Sequence, residues 1–240
     1  MPTDMPTGTP RTGARPTVAP LLLSLTLALV AGTACSGSSA PRAAATPQPT
    51  TSASASAPTD DAASVALARA EAVVRATRSF TFNATEVLSG DASHATSVRG
   101  SVVRGQGVSY VLVANGRTSQ VVRIAGATYV RPVPGRWSKL RKPRPVTDPA
   151  GTLLAVLRGL TQPSVRTDGA TKVVDGSLPA AAAKAAQLPA GPTPARVQVT
   201  LDPAGHVTKL VVTTASGSTQ VTLTTSYAGF GRVRPLKPPV

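Results

Sequence analysis

Few residues in this chain have side chains able to do covalent or metal chemistry. Its 240 residues hold one cysteine, Cys35, and two histidines, His94 and His206. One thiol leaves no intramolecular disulfide and no thiolate cluster, and two isolated imidazoles cannot build a site that needs several ligands. No metal and no cofactor is expected. The sequence has no G-x-S-x-G elbow, no phosphate-cradling G-x-x-x-x-G-K-[ST] loop and no H-E-x-x-H pair. Both histidines fall in predicted turns, where a solvated role suits them better than general-base work. Asp148, Asp175 and Asp202 have caps or turns to explain them. No residue is assigned a catalytic role, and the expectation is a protein that is not an enzyme.

Charge is the second feature. Lys and Arg number 25 against 10 Asp and Glu, a formal net charge of +15, which points to a polyanionic partner. The cations concentrate at Arg131, Arg136, Lys139, Arg141, Lys142 and Arg144, six in fourteen residues with no acid, interleaved with prolines and Trp137. A solvated loop is one reading. The other is a patch for anionic headgroups or wall polymers, with Arg136, Lys139, Arg141 and Lys142 facing the membrane, since each basic residue near a negatively charged surface adds about 1 kcal/mol. Nucleic acid is not expected, because one tryptophan makes no stacking platform and the N-terminus reads as an export signal.

That signal is Arg11 and Arg15 followed by Val18–Ala31, an apolar run of 14 residues without charge. It is short of the ~20 residues a spanning helix needs and has the order of a secretory leader. The run ends in Ala31-Gly32-Thr33-Ala34-Cys35. This ending resembles the lipobox of bacterial lipoproteins, although Gly32 stands where leucine is usual. The resemblance implies removal of residues 1–34 and acylation of Cys35, with palmitate-like chains holding the protein to the extracytoplasmic face of the cell membrane. Plain secretory cleavage after Ala34 is the alternative.

The elements that would position any site lie further on. Residues 35–60 are read as the lipidated cysteine and a disordered tether, because 22 of the 25 residues after Cys35 are Ser, Thr, Ala, Pro or Gly and cannot bury a core. Residues 61–240 are one domain's worth. A first helix follows Asp60 or Asp61 as cap, with an apolar stripe through Val65, Leu67, Ala68, Ala72 and Val73. From Ser79 the period becomes two, giving about ten strands, antiparallel because Asn115-Gly116 is a two-residue hairpin signal. Asp148-Pro149 starts a second helix ending near Gly159, the alanine-rich stretch from Pro179 to Leu188 is a third, and Asp202-Pro-Ala-Gly205 joins two late strands. One face of the sheet is apolar and the other is Thr-rich and wet.

Several segments recur together: Ser79-Phe80-Thr81-Phe82, the run Gly126-Ala-Thr-Tyr129 through Trp137-Ser-Lys-Leu140, Asp148-Pro149, the Asp202–Gly205 hairpin and Tyr227-Ala-Gly229 with Val233-Arg-Pro235. With the tethered lipobox, they make the chain resemble the actinobacterial LppX/LprAFG lipoproteins. The resemblance implies an α+β fold: a curved antiparallel β half-barrel, akin to the LolA and LolB carriers, with helices on the concave face around an apolar cavity. It implies binding or transport of a lipid or other amphipathic molecule in the cell envelope, or alternatively a non-catalytic scaffold or regulator that docks an envelope protein partner.

Alternation supplies the candidate cavity residues. The pairs Phe80/Phe82, Tyr110/Leu112, Val197/Val199, Leu210/Val212 and Val221/Leu223 can each line the concave side. Placing all five pairs there assumes a register, since Val108–Val113 is apolar on both faces. A sheet folded on itself as a closed sandwich is the alternative.

Overall fold

A computed structural model describes residues 59–89, 94–142 and 148–239. Helix α1 (Thr59–Ala76) leads into β1 (Ser79–Ser89), β2 (His94–Val103), β3 (Gly107–Ala114), β4 (Arg117–Ile124) and β5 (Ala127–Val133). A two-residue edge strand β6 (Ser138–Lys139) precedes α2 (Pro149–Gly159), followed by β7 (Thr161–Asp168), β8 (Thr171–Leu178) and α3 (Ala180–Ala185). The C-terminal strands are β9 (Ala195–Leu201), β10 (Val207–Ser216) and β11 (Thr219–Ala228). All eleven form one open antiparallel sheet in the order β6-β5-β4-β3-β2-β1-β11-β10-β9-β8-β7. The first strand thus pairs with the last, and an antiparallel meander runs out on either side, with α3 inserted between β8 and β9. A single sheet that leaves both edges unjoined is the half-barrel, not a sandwich.

Local chemistry explains the punctuation. Asn115 and Gly116 have φ of 50° and 71°, the positive values that the two-residue hairpin demands. Asp148 caps α2 by accepting a hydrogen bond from the Ala150 amide at 3.1 Å, with Pro149 in the first turn. The Asp202 carboxylate accepts from the His206 amide at 2.8 Å and closes the β9–β10 turn.

Three expectations need correction. Helix α1 begins at Thr59, so Asp60 and Asp61 lie in its first turn rather than before it. Its buried stripe is Ala63, Ala66, Leu67, Ala70 and Val74, whereas Val65 is 68% exposed and Ala68 and Ala72 face outward. A helix rich in alanine has little amphipathic contrast, and close packing on β7, β8 and α2 selects the face of small residues. His94 opens β2 instead of sitting in a turn.

The core is one cluster joining α1, α2 and α3 to the sheet. Leu153, Val156 and Leu157 of α2 are buried with Phe80, Val174, Leu178, Val199 and Leu210. Phe80 packs edge-on to Tyr227, ring centroids 5.7 Å apart. Glu71 of α1 ties the helices by accepting from Arg75 on its own helix and from Arg158 of α2.

Candidate functional site

The cross-strand register decides which side chains share a face. Phe82 of β1 lies opposite Tyr227 on one side and Gly100 on the other, and Gly100 lies opposite Tyr110. Leu112 opposes Val98, which opposes Ala84. In the other direction Glu86 faces Leu223, Leu223 faces Val212, and Val212 faces Val197. Leu88 faces Val221, and Leu210 faces Val199. Phe80 shares the parity of Phe82, so all ten candidate residues project from one face of the sheet, the face against which the helices pack. Gly100 is required here: a Cβ on it would lie 2.5 Å from the Tyr110 Cβ and 2.3 Å from the Ser109 carbonyl oxygen.

Burial divides the ten. Phe80, Phe82, Val197, Val199, Leu210 and Val212 belong to the packed core, with Val199 fully buried and Leu210 and Val212 1% exposed. Tyr110 and Leu223 are half-buried against that core, and Leu112 and Val221 are half-buried outside it. The latter four, with Val98, Ala84 and Leu88, form a half-open apolar strip toward the end of the sheet that carries the Asn115-Gly116 turn. Glu86 stands in the middle of this strip, flanked along β1 by Ala84 and Leu88. Its carboxylate makes no hydrogen bond or ion pair with the described residues, and burial holds it above the usual carboxylate range. Burial likewise raises the Tyr110 phenol. Sequence reasoning overlooked Glu86, although its even number puts it in step with Phe80 and Phe82.

Two clefts open at the rim. One, of about 380 Å³, lies between the β2–β3 turn, the β4–β5 turn and the start of α2, lined by Arg104, Gln106, Arg123 and Asp148 among others. The second, of about 510 Å³, lies beside β6 and is lined by Tyr129, Arg131, Gly135, Arg136, Trp137, Lys139 and Pro239. An apolar space of only about 10 Å³ remains beneath α1, next to Phe80 and Tyr227.

The basic residues Arg136, Lys139, Arg141 and Lys142 are all exposed. Arg131, left out of that set at first, is the ordered member. Its guanidinium carbon lies 5.0 Å from the centroid of the Trp137 ring, and one of its terminal nitrogens donates to the Gln120 side-chain oxygen. The missed signal was pairing: β6 folds back so that Lys139 opposes Tyr129, two residues before Arg131. Cys35 and Arg144 lie outside the described residues.

His206 Nδ1 is 3.0 Å from the Asp202 carboxylate, and its ring stacks on Phe230 at 4.4 Å. Burial alone would raise the Asp202 carboxyl, but the hydrogen bonds and charge of His206 hold it below its ordinary value. Among the described residues no three His, Cys, Asp or Glu side chains gather into a metal-binding group, and no helix is long and apolar enough to cross a membrane.

No protein-family model matches the chain, and no curated protein matches it in sequence. Among solved structures it is similar to the lipoprotein LppX of Mycobacterium tuberculosis, at 14% identity and a TM-score of 0.48 over 74% of this chain and 100% of that one. It is also similar to LprF from Mycobacterium bovis, at 16% identity and a TM-score of 0.42 over 76% of this chain and 99% of that one. A LolA superfamily protein from Nitrosomonas europaea follows at 10% identity and a TM-score of 0.27, covering 73% of this chain and 94% of that one. These are the groups that the segments quoted from the sequence resemble.

Proposed function

We propose that this chain is an extracytoplasmic lipoprotein, anchored to the cell membrane through Cys35, that holds a lipid or another amphipathic molecule along the half-open strip of its concave face. The observation that carries the reading is the strip itself. Tyr110, Leu112, Val221 and Leu223 share a face with the packed core yet remain partly in water. Apolar surface left in water costs roughly 25 cal/mol per Å², so an acyl chain laid there gains what the helices leave uncovered. The exposed cations Arg136, Lys139, Arg141 and Lys142 then hold the domain to an anionic membrane surface. Nothing in this reading calls for a catalytic residue.

Native mass spectrometry of the purified full chain tests it. A noncovalent lipid adduct is expected on the wild type, absent from Leu112→Trp, whose melting temperature stays close to the parent because a half-open strip accepts added volume. Cys35→Ala should keep the adduct and lose membrane retention. A wild type without any adduct, together with a Leu112→Trp variant that melts far below it, would overturn the strip as a ligand site and leave the protein-docking alternative.

A further inference from the structure

We infer that the cleft beside β6 is a binding site for a phosphate group, a phosphomonoester seated between Arg131 and Lys139 with its organic part against Trp137 and Tyr129. It lies on the opposite face of the sheet from the apolar strip: Tyr129 and Arg131 oppose Val122 and Gln120, whose neighbours Val121 and Val130 point to the concave side. The site therefore stands or falls separately from the apolar strip, and it shares Arg136 and Lys139 with the membrane contact proposed above.

Three observations build it. The pairing of Lys139 with Tyr129 puts a lysine across from the same strand that carries Arg131, and Arg136 lines the cleft between them. The Arg131 guanidinium is fixed from two sides, by the Trp137 ring and by the Gln120 oxygen. Its Nε is enclosed, without a hydrogen-bond partner among the described residues, while the side chain as a whole is half-buried and lines the cleft, so a ligand there meets the outer part of the fork. Among the described residues no acid side chain lines the cleft, and the sequence holds none between residues 126 and 147.

Chemistry narrows the ligand. A planar guanidinium held in place offers paired N–H donors that match a tetrahedral phosphate, while Lys adds a point charge. The aromatic pair and Pro239 give an apolar wall on which a glycerol or ring can lie. A diffuse basic surface would have needed neither the stacked Trp137 nor an ordered arginine.

The test uses a fortunate composition. Trp137 is the only tryptophan of the chain, so its fluorescence reports on this cleft alone. Titration of the full chain with glycerol 3-phosphate should give a saturable change that sodium chloride at equal ionic strength does not reproduce. Arg131→Gln should weaken binding by about tenfold or more, and Arg131→Lys, which keeps charge without the fork, by a similar factor. Exposed Lys139→Gln, which cannot disturb the fold, should weaken it several-fold. Vesicles of phosphatidylcholine with phosphatidic acid form the second arm. A response to these vesicles but not to the soluble ester assigns a lipid headgroup, and a response to both assigns a free phosphate compound. A change that merely follows ionic strength, or one that Lys139→Gln leaves intact, would overturn the site.

Discussion

The two flanks of β1 carry the same alternating pattern, yet the concave face is core along β8 to β10, whereas on β2 and β3 only Val102 and Val108, at the end nearest their turn, are buried. On β8 to β10, Val174 and Val199 are fully buried, and Leu210 and Val212 are 1% exposed. On β2 and β3, Val98, Tyr110 and Leu112 sit on the same face at the same parity and keep part of their surface in water. The strands do not differ in kind; the roof does. Helix α1 packs on β7 and β8, and α2 packs on α1 and α3, so the helices gather over the C-terminal flank. Alternation tells which face is apolar, and helix placement tells whether that face is closed.

The comparison is broken most directly by truncating one leucine on each flank. Leu210→Ala removes volume from a site surrounded by core and should cost about 2–5 kcal/mol. Leu112→Ala removes carbons that water already reaches and should cost less than about 1 kcal/mol. Equal losses in urea denaturation would show that the N-terminal flank is packed as tightly as the other.

The roof is a smaller lever. Asp148 accepts from the Ala150 amide and caps α2 at the end nearest the β2–β3 turn. Asp148→Ala should cost about 1 kcal/mol, with faster amide hydrogen exchange confined to the first turn of α2. If exchange also rose across β8 to β10, the cap and not the packing of Leu153, Val156 and Leu157 would be holding the roof in place.

Much of this was legible in residue types. Asn115-Gly116, Asp148-Pro149 and Asp202-Pro-Ala-Gly205 each force a backbone geometry, so the hairpins and α2 fall where they were expected. The ten apolar candidates share a face because parity survives any register that keeps the turns. What could not be read is packing between elements. The face of α1 was misjudged because alanines look alike from every side until a neighbour chooses among them. The division of the ten between core and strip depends on where three helices come to rest, and no single strand records that. Arg131 was ranked below its neighbours because its order comes from Gln120 on another strand and from Trp137 across a turn.

The smallest expected effect lies in acid, where the two flanks carry carboxyls shifted in opposite directions. Burial in the strip holds Glu86 above its ordinary pKa of 4.5, so the folded state binds that proton more tightly than the unfolded chain. Between the ordinary and the raised value, Glu86 therefore favours folding more as pH falls. Asp202 on the other flank, held below its ordinary 3.8 by His206 despite some burial, stabilises the fold above that value and loses its contribution as pH falls through the lowered one. Glu71, lowered chiefly by its hydrogen bond from Arg158, behaves like Asp202. In the wild type Glu86 partly offsets the other two. Glu86→Gln removes the offset, so the variant should match or exceed the wild type in melting temperature at neutral pH and fall faster on acidification through the carboxylate range of about pH 5 to 3. Parallel melting curves of the two proteins across that range would mean that Glu86 is as well hydrated as an ordinary surface carboxylate. The strip would then be open to water along its whole length.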